Sequence, residues 1–501
     1  CIIVFADTIF NKKLTEVTVR ATNKKETNLS VVNIVRNNIS VSDGISAEFV
    51  KKTPDRTVGD ALKRVSGITI QNDKFVLVRG LADRYNSALL NKIVLPSTEP
   101  DRRSFSFDII PSSLVDNIIV SKSAIANLPG DFAGGIVQVS TKDVSSNFFN
   151  ISLGTGYGLV STNQNFKLVN RINFPSLFPS TYNYRISGNN DKRKYTNLIQ
   201  LPESKNFISL PNINGSLSLG VKKDKWNFLL SSTTRNSYNL NYIDRLDYQS
   251  STELAYKYKD TSFANTFLTN GLLNLVYLGK NKYSWKTLYN YQIEQSYLTR
   301  DGENYDNVQN VKSNSSNHII KTNINSQLEG KINTLDFNLG YNLMLRDQPD
   351  YRVNPITKSL GINESYATAW RDTYRFWSNM DENAFNSNIN KSFNNIKVGG
   401  GYLKRYRNFK ARIFRYTAAN MLDEITNNTD KYMANFDLAN AYAMYDNDFN
   451  NWKLNIGLRT EYNLFNVQTA DFSGQKVNVN REYLDPLPSI NLSYNLDKFK
   501  Y

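Results

Sequence analysis

Along residues 335–343 every odd position is apolar or aromatic and every even one is polar or glycine. The same beat of two runs through 213–221, 452–459 and 490–496. Strict alternation gives an extended strand one apolar face and one wet face. The wet positions hold Asn, Ser and Gly, which suit a hydrated lumen better than a dry sandwich core. About thirteen such stretches follow one another: 147–160, 164–174, 209–223, 225–238, 264–280, 283–297, 315–330, 334–346, 382–393, 396–409, 432–446, 451–465 and 487–497. Several exceed the roughly 5–6 residues of ordinary soluble strands, and no fixed repeat marks a solenoid. Short connections at 222–224, 279–282 and 394–395 alternate with long polar ones at 175–208, 239–263, 347–381 and 410–431. Short turns at one rim and long loops at the other describe an all-β transmembrane barrel, antiparallel throughout. Trp226, Tyr283, Trp285 and Trp452 near strand ends would form its interfacial girdles.

Ahead of this array the period changes. Thr57 is placed to cap a helix, with Asp60 completing a capping box, and Val58, Ala61, Leu62 and Val65 share one helical face. Gly67 is placed to end it. Residues 68–70 and 75–78 read as strands joined by the turn Gln71-Asn72-Asp73-Lys74. A second short helix is expected at 111–115, with strands at 118–120 and 136–139. Together these make a small α+β domain at 45–145, with the barrel occupying 146–501. Residues 7–44 carry too little apolar surface for a core and read as an extended, mobile leader with β-prone islands at 14–19 and 31–35. Residues 1–6 fit the tail of a secretory signal peptide; a stray strand or a lipid-anchor Cys1 are the alternatives.

Composition narrows the classes. The chain has 30 Tyr, and aromatics are 12% of it, an excess typical of β architectures. Mean hydropathy is −0.47, and no run of about 18 apolar residues suggests a membrane helix. A barrel escapes that test, because its lipid-facing residues are interleaved with polar ones. The net charge is +15, but the cations are scattered at strand ends and turns, so no nucleic-acid module is expected. The charge fits solvated loops, or attraction to an anionic lipid surface or solute. One cysteine, Cys1, and one histidine, His318, leave no intrachain disulfide, no expected metal site and no nucleophile–base pair. No enzyme activity and no cofactor are expected.

With both parts in view, the chain resembles a TonB-dependent outer-membrane receptor. Residues 57–65 followed by Gly67-Ile68 resemble that family's plug helix. Val78-Arg79-Gly80-Leu81 with Asp83-Arg84-Tyr85-Asn86 resembles its Arg-Gly signature, and 96–103 and 128–137 resemble segments of one large branch. The resemblance implies a plug inside a barrel in the outer membrane of a Gram-negative bacterium. It also implies active transport of a bulky, scarce solute, such as a siderophore or other metal chelate. Leu14, Thr15, Glu16, Val17, Thr18 and Val19 sit where the family carries its TonB box. A β-prone segment in a mobile leader can add as a strand to the sheet of a TonB-type periplasmic energy-coupling protein. The expected partners are that protein, a small-molecule solute and outer-membrane lipid, around a monomeric barrel. A receptor or adhesin of the same architecture, without transport, is the alternative.

Arg79 and Arg84 are expected as buried arginines facing acidic groups on the barrel wall, with Gly80 between them; Arg79 is equally suited to strand-end carbonyls. Asp101, Arg102 and Arg103 are a second candidate plug–barrel contact, or a merely solvated cluster. Gly130, Gly134 and Gly135 are read as turn residues before the last plug strand. For solute contact the candidates are the turn residues Asn72 and Asp73 and the aromatics Tyr351, Trp370 and Trp377. Those aromatics suit a flat ligand, and suit loop packing as well. Two departures from the family stand out. The sequence Asn91-Lys92-Ile93-Val94-Leu95 argues against the carbohydrate-importing branch. The family barrel has twenty-two strands around its plug, so about a third of the barrel is expected to lie beyond residue 501.

Overall fold

The computed structural model describes residues 26–169, 204–369, 372–416, 422–425, 430–471 and 473–494. It opens on a helix, α1 (Asn28–Asn37), where the Thr27 hydroxyl accepts from the Ser30 N–H at 3.2 Å. This corrects the extended reading of 31–35. Valine prefers strands, but Val31 is buried where α1 packs on the next strand, and that packing overrides the local preference. β1 (Ser42–Ser46) then joins the plug sheet, so the folded unit takes in part of the expected leader.

Two short helices, α2 (Ala47–Lys51) and α3 (Val58–Leu62), follow. The Thr57–Asp60 capping box forms as expected, and Gly67 takes the left-handed conformation (φ 70) beyond the helix. The remaining plug strands are β2 (Ile68–Gln71), β3 (Phe75–Val78), β4 (Asn86–Leu90), β5 (Ile93–Val94), β6 (Val115–Ser121) and β7 (Gly135–Thr141). β2 and β3 form a hairpin, and the other five strands form a sheet in the order β1-β6-β7-β4-β5, with β4 and β7 parallel. The helix expected at 111–115 is only a 3₁₀ turn, Ser112–Leu114, because Val115 already belongs to β6, whose β-branched Ile118, Ile119 and Val120 favour the strand. The core between sheet and helices gathers Val58, Leu62, Val78, Leu90, Ile110, Leu114 and Val137.

The barrel wall begins with β8 (Phe148–Gly156). The stretch expected as the next wall strand is instead a small hairpin, β9 (Asn165–Leu168) with β10 (Lys205–Ile208). Phe166 and Leu168 of that hairpin pack on Tyr238, Leu240, Phe263 and Tyr297, and this aromatic seat competes with pairing in the wall. The wall resumes with β11 (Asn212–Lys223), β12 (Trp226–Tyr248), β13 (Leu254–Leu278), β14 (Lys282–Asn304), β15 (Gln309–Ile332) and β16 (Leu335–Ser359). After the short β17 (Ala367–Thr368) come β18 (Tyr374–Phe393) and β19 (Ile396–Tyr416). A second short piece, β20 (Leu422–Glu424), precedes β21 (Lys431–Phe449), β22 (Trp452–Ala470) and β23 (Lys476–Tyr494).

All of these wall strands lie in one 14-stranded antiparallel sheet, with β17 paired to β16 and β20 to β19 off the main path. Among the described residues the end strands β8 and β23 do not pair with each other. Tight turns carry Asp224, Asn333, Asn394 and Asn450 at φ near 50, as short hairpin connections require. Much of what reads as long loop at 239–263 and 347–381 is strand. β13 spans 25 residues, about 80 Å of chain at roughly 3.3 Å per residue, against an apolar band about 25 Å tall. Beyond that band a strand needs no continuous apolar face, and the alternation that reveals it breaks into short runs such as Tyr256-Lys257-Tyr258.

The usual inside–outside arrangement is reversed across this sheet. Leu339 and Tyr341 are 37% and 45% exposed, whereas Asn342 beside them is fully buried. Apolar residues facing outward and amides facing inward are what a lipid-embedded wall around a polar lumen requires. Trp226 packs against Tyr277, and Trp452 against Tyr494, with tilted rings at the short-turn rim.

Candidate functional site at the plug–wall interface

Where the plug meets the wall, the contacts are mostly polar. Asn72 (φ 54) and Asp73 (φ 57) form a two-residue left-handed turn, and Lys74 follows it at the tip of the β2–β3 hairpin. Lys74 Nζ lies 2.7 and 2.6 Å from the two carboxylate oxygens of Glu294 on β14. Burial works against the ammonium, but Glu294 and Asp108 more than offset it and hold Lys74 above the ordinary lysine range.

Glu294 also faces Lys321 Nζ of β15 at 3.5 Å, and Lys321 sits 2.6 Å from Glu99 of the plug. The second oxygen of Glu99 accepts from Arg346 Nε of β16 at 3.1 Å. Two carboxylates thus alternate with three cations: plug Lys74, wall Glu294, wall Lys321, plug Glu99, wall Arg346. The backbone around Glu99 is anchored too. Its carbonyl accepts from Arg407 at 3.4 Å, and the Pro100 carbonyl accepts from the Tyr432 hydroxyl at 3.0 Å. Arg407 is itself paired with Glu382 of β18. Ser97 holds this segment's shape, with its hydroxyl 2.6 Å from the Arg102 carbonyl and 3.0 Å from that of Glu99.

Further contacts complete the interface. Gln292 donates to Asp108 at 3.0 Å, Gln327 to the Leu90 carbonyl at 2.9 Å, and Asn338 to the Asn91 carbonyl at 2.8 Å. Where the plug passes into the wall, Asn274 donates to Asp143 at 2.7 Å. Three wall leucines, Leu229, Leu272 and Leu288, extend the plug core at this end. At 124–130, wall residues Asn491, Arg459 and Glu461 bind the backbone of Ala124, Ala126 and Gly130. A Cβ on Gly130 would lie 2.2 Å from Leu487 of the wall, so this glycine serves close approach rather than a turn.

The expected plug residues stand elsewhere. Arg79 and Arg84 are exposed, which overturns the reading of buried arginines facing wall carboxylates. Arg79 (φ 55) and Gly80 (φ 74) are the two central residues of a tight turn closed by the Leu81 N–H on the Val78 carbonyl at 3.0 Å. Arg84 lies over the ring of Tyr85. Asp101 is exposed as well. Arg102 pairs with Asp83 and Arg103 with Asp131, both inside the plug, so these ion pairs brace the plug, with Arg103 and Asp131 within electrostatic reach of Arg405 on the wall. The contact falls two residues earlier, on Glu99. Its signal was a carboxylate inside the 96–103 motif; that of Glu294, Lys321 and Arg346 was a charge at wet strand positions otherwise held by amides.

Of the solute candidates, Asp73 pairs with Lys63 of the plug at 2.7 Å, and Asn72 is exposed. Tyr351 on β16 and Trp377 on β18 stand on opposite faces of the sheet, since Tyr351 pairs in register with Phe376. The Tyr374 hydroxyl donates to that of Tyr351 at 3.3 Å, and Trp377 meets Phe414 edge-on with the Arg375 guanidinium 4.3 Å from its ring centre. Asp350 joins Arg352 and Arg375 beside Trp377, each at 2.8 Å. Trp370 and the segment 14–19 lie outside the described residues. Among the described residues no group of three or more His, Cys, Asp or Glu is placed to hold a metal ion.

Fold and interface together define a plugged outer-membrane barrel. Two family models match in the order the architecture requires: the TonB-dependent Receptor Plug Domain over 34–137 and the Outer membrane protein beta-barrel family over 350–501. The chain belongs to the TonB-dependent receptors, proteins of the Gram-negative outer membrane. Among solved structures it is similar to the ferric yersiniabactin uptake receptor of Yersinia pestis, at 9% identity over 90% of this chain and 79% of that one, TM-score 0.42. It is also similar to a ferric citrate transporter in its unliganded form, at 11% identity over 92% and 79%, TM-score 0.33. A copper transporter matches at 9% identity over 91% and 76%, TM-score 0.32. At these scores the likenesses carry no argument of their own, and the assignment rests on the family models. No curated protein matches the chain.

Proposed function

We propose that this protein imports a bulky metal chelate across the outer membrane as a monomeric barrel. The driving force is a pull on residues 14–19 by a TonB-type periplasmic protein. The observation that carries this reading is the chemistry of the plug–wall interface. A plug meant to stay would be sealed by continuous apolar packing. Here Lys74, Glu294, Lys321, Glu99 and Arg346 form an ion-pair chain, supported by amides such as Gln292 and Gln327. Such contacts hold strongly in place, yet water and neighbouring charges can replace each one as the plug shifts. Apolar contact with the wall falls in separate patches, the three leucines and the Ala126–Tyr442–Met444 cluster among them.

The chelate reading draws on the patch around Trp377 and Phe414. Aromatic faces beside Arg352 and Arg375 suit a flat, anionic complex through stacking and charge. The test is accumulation of radiolabelled iron and copper from a panel of chelates by iron-limited cells, with the gene deleted and then restored. Loss and recovery of uptake for one chelate class is expected. Equal accumulation of every chelate with and without the gene would remove the chelate reading.

A further inference from the structure

Between plug and wall lies a cavity of about 340 Å³, within the size range of ligand sites. Plug residues from 47–57 and 111–115 close one side, and β8, β11, β12 and β13 close the other. Its charged lining is one-sided: Lys51, Arg56, Lys142 and Arg235 against the single carboxylate of Asp55. That carboxylate is already engaged, with Arg64 at 2.5 and 3.0 Å and the Thr53 hydroxyl at 2.6 Å. Lys51 is 3.6 Å from Glu26. Arg56, Lys142 and Arg235 form no ion pair among the described residues. Arg235 Nε is buried without a hydrogen-bond partner. Burial and the nearby Lys51 hold Lys142 below the ordinary lysine range, as expected of a cation lacking its counter-charge.

The rest of the lining includes Thr57, Ser112, Asn214 and Thr233, which can orient water or an oxyanion but cannot neutralise three positive charges. Arg56 is open to solvent, but Lys142 and Arg235 are partly buried, and partly buried cations without a counter-charge are costly unless an anion completes them. We infer that this cavity is an inner binding site for carboxylate or phosphate oxyanions, with Arg56, Lys142 and Arg235 as its charged contacts. Its occupant is the anionic group of a solute on its way past the plug. That role rests on the import reading, whereas the site itself does not.

The test is calorimetric titration of the purified protein in neutral detergent, with citrate as probe and inorganic phosphate as second probe. No energised membrane is involved, so failure here would leave import untouched. Binding is expected to weaken steeply with added chloride. The double variant K142Q/R235Q should bind citrate about tenfold or more weakly, while K404Q, at the exposed Lys404–Asp437 pair, should bind as the parent does. Absence of citrate and phosphate binding by the parent protein would overturn the proposal, whatever the variants do. So would unchanged affinity in a folded K142Q/R235Q. Displacement of citrate by phosphatidylglycerol added to the micelles would assign the site to a lipid headgroup and overturn the solute reading.

Discussion

Glu99 touches more of the wall than any side chain expected to do so from the sequence. Its carboxylate lies between Lys321 and Arg346, both almost fully buried. Removing its charge leaves two cations facing each other with too little counter-charge, a loss of about 3 kcal/mol. In E99Q, amides of residues 96–104 should therefore exchange with solvent about a hundredfold faster; unchanged exchange would mean that the pairs hold nothing. Lys74 behaves differently with pH. A raised lysine pKa adds docking stability that is complete below the ordinary lysine range, near 10.4, and disappears only as pH rises through the raised value. Exchange around residue 74 should accordingly be flat with pH across the neutral range, once intrinsic rates are removed, and increase only under strong alkali. Residues of this kind were half legible. The 96–103 motif marked the right segment, but whether Glu99 or Arg102 faces the wall depends on how Ser97 folds the loop. Arg79 misled because an arginine before glycine in a plug reads as a charge, whereas its structural role here is a backbone conformation.

The Arg79–Gly80 turn shows this at the scale of one element. Both residues lie in the left-handed region, where a side chain costs about 1–2 kcal/mol and glycine costs none. R79G should leave plug stability unchanged or slightly raised, whereas G80V should lower it by about 1–2 kcal/mol, both read by thermal unfolding. A large loss in R79G would restore the charge role. T57A, which breaks the capping box of α3, should cost about 1 kcal/mol by the same assay. Elements that carry a local signature were readable in advance: the capped helix, the β2–β3 hairpin and the alternating wall strands. Those decided by distant contacts were not. α1 is helical because Val31 packs on the sheet, and β9 leaves the wall because Phe166 finds Tyr238 and Phe263. The upper halves of β12, β13 and β16 went unread because their alternation is short and broken, as in Leu240-Asn241-Tyr242 and Tyr256-Lys257-Tyr258 between polar runs.

For the whole molecule, the exposed leucines and buried asparagines of the wall and the ionic seat of the plug describe one device. An outward apolar surface suits the wall to lipid, and a polar interface in place of continuous apolar packing is what the proposed movement of the plug requires. A plug held in this way should shift when its leader is pulled and should remain seated when it is not. The most direct measurement is iron accumulation from whichever chelate the gene-deletion panel identifies, in cells expressing the intact chain or one lacking residues 14–19, with and without a protonophore. Uptake is predicted to fall to the level of cells without the gene, either when the segment is deleted or when the proton gradient is collapsed, while the barrel remains in the outer membrane in normal amount. Undiminished uptake by the deletion variant would contradict the account.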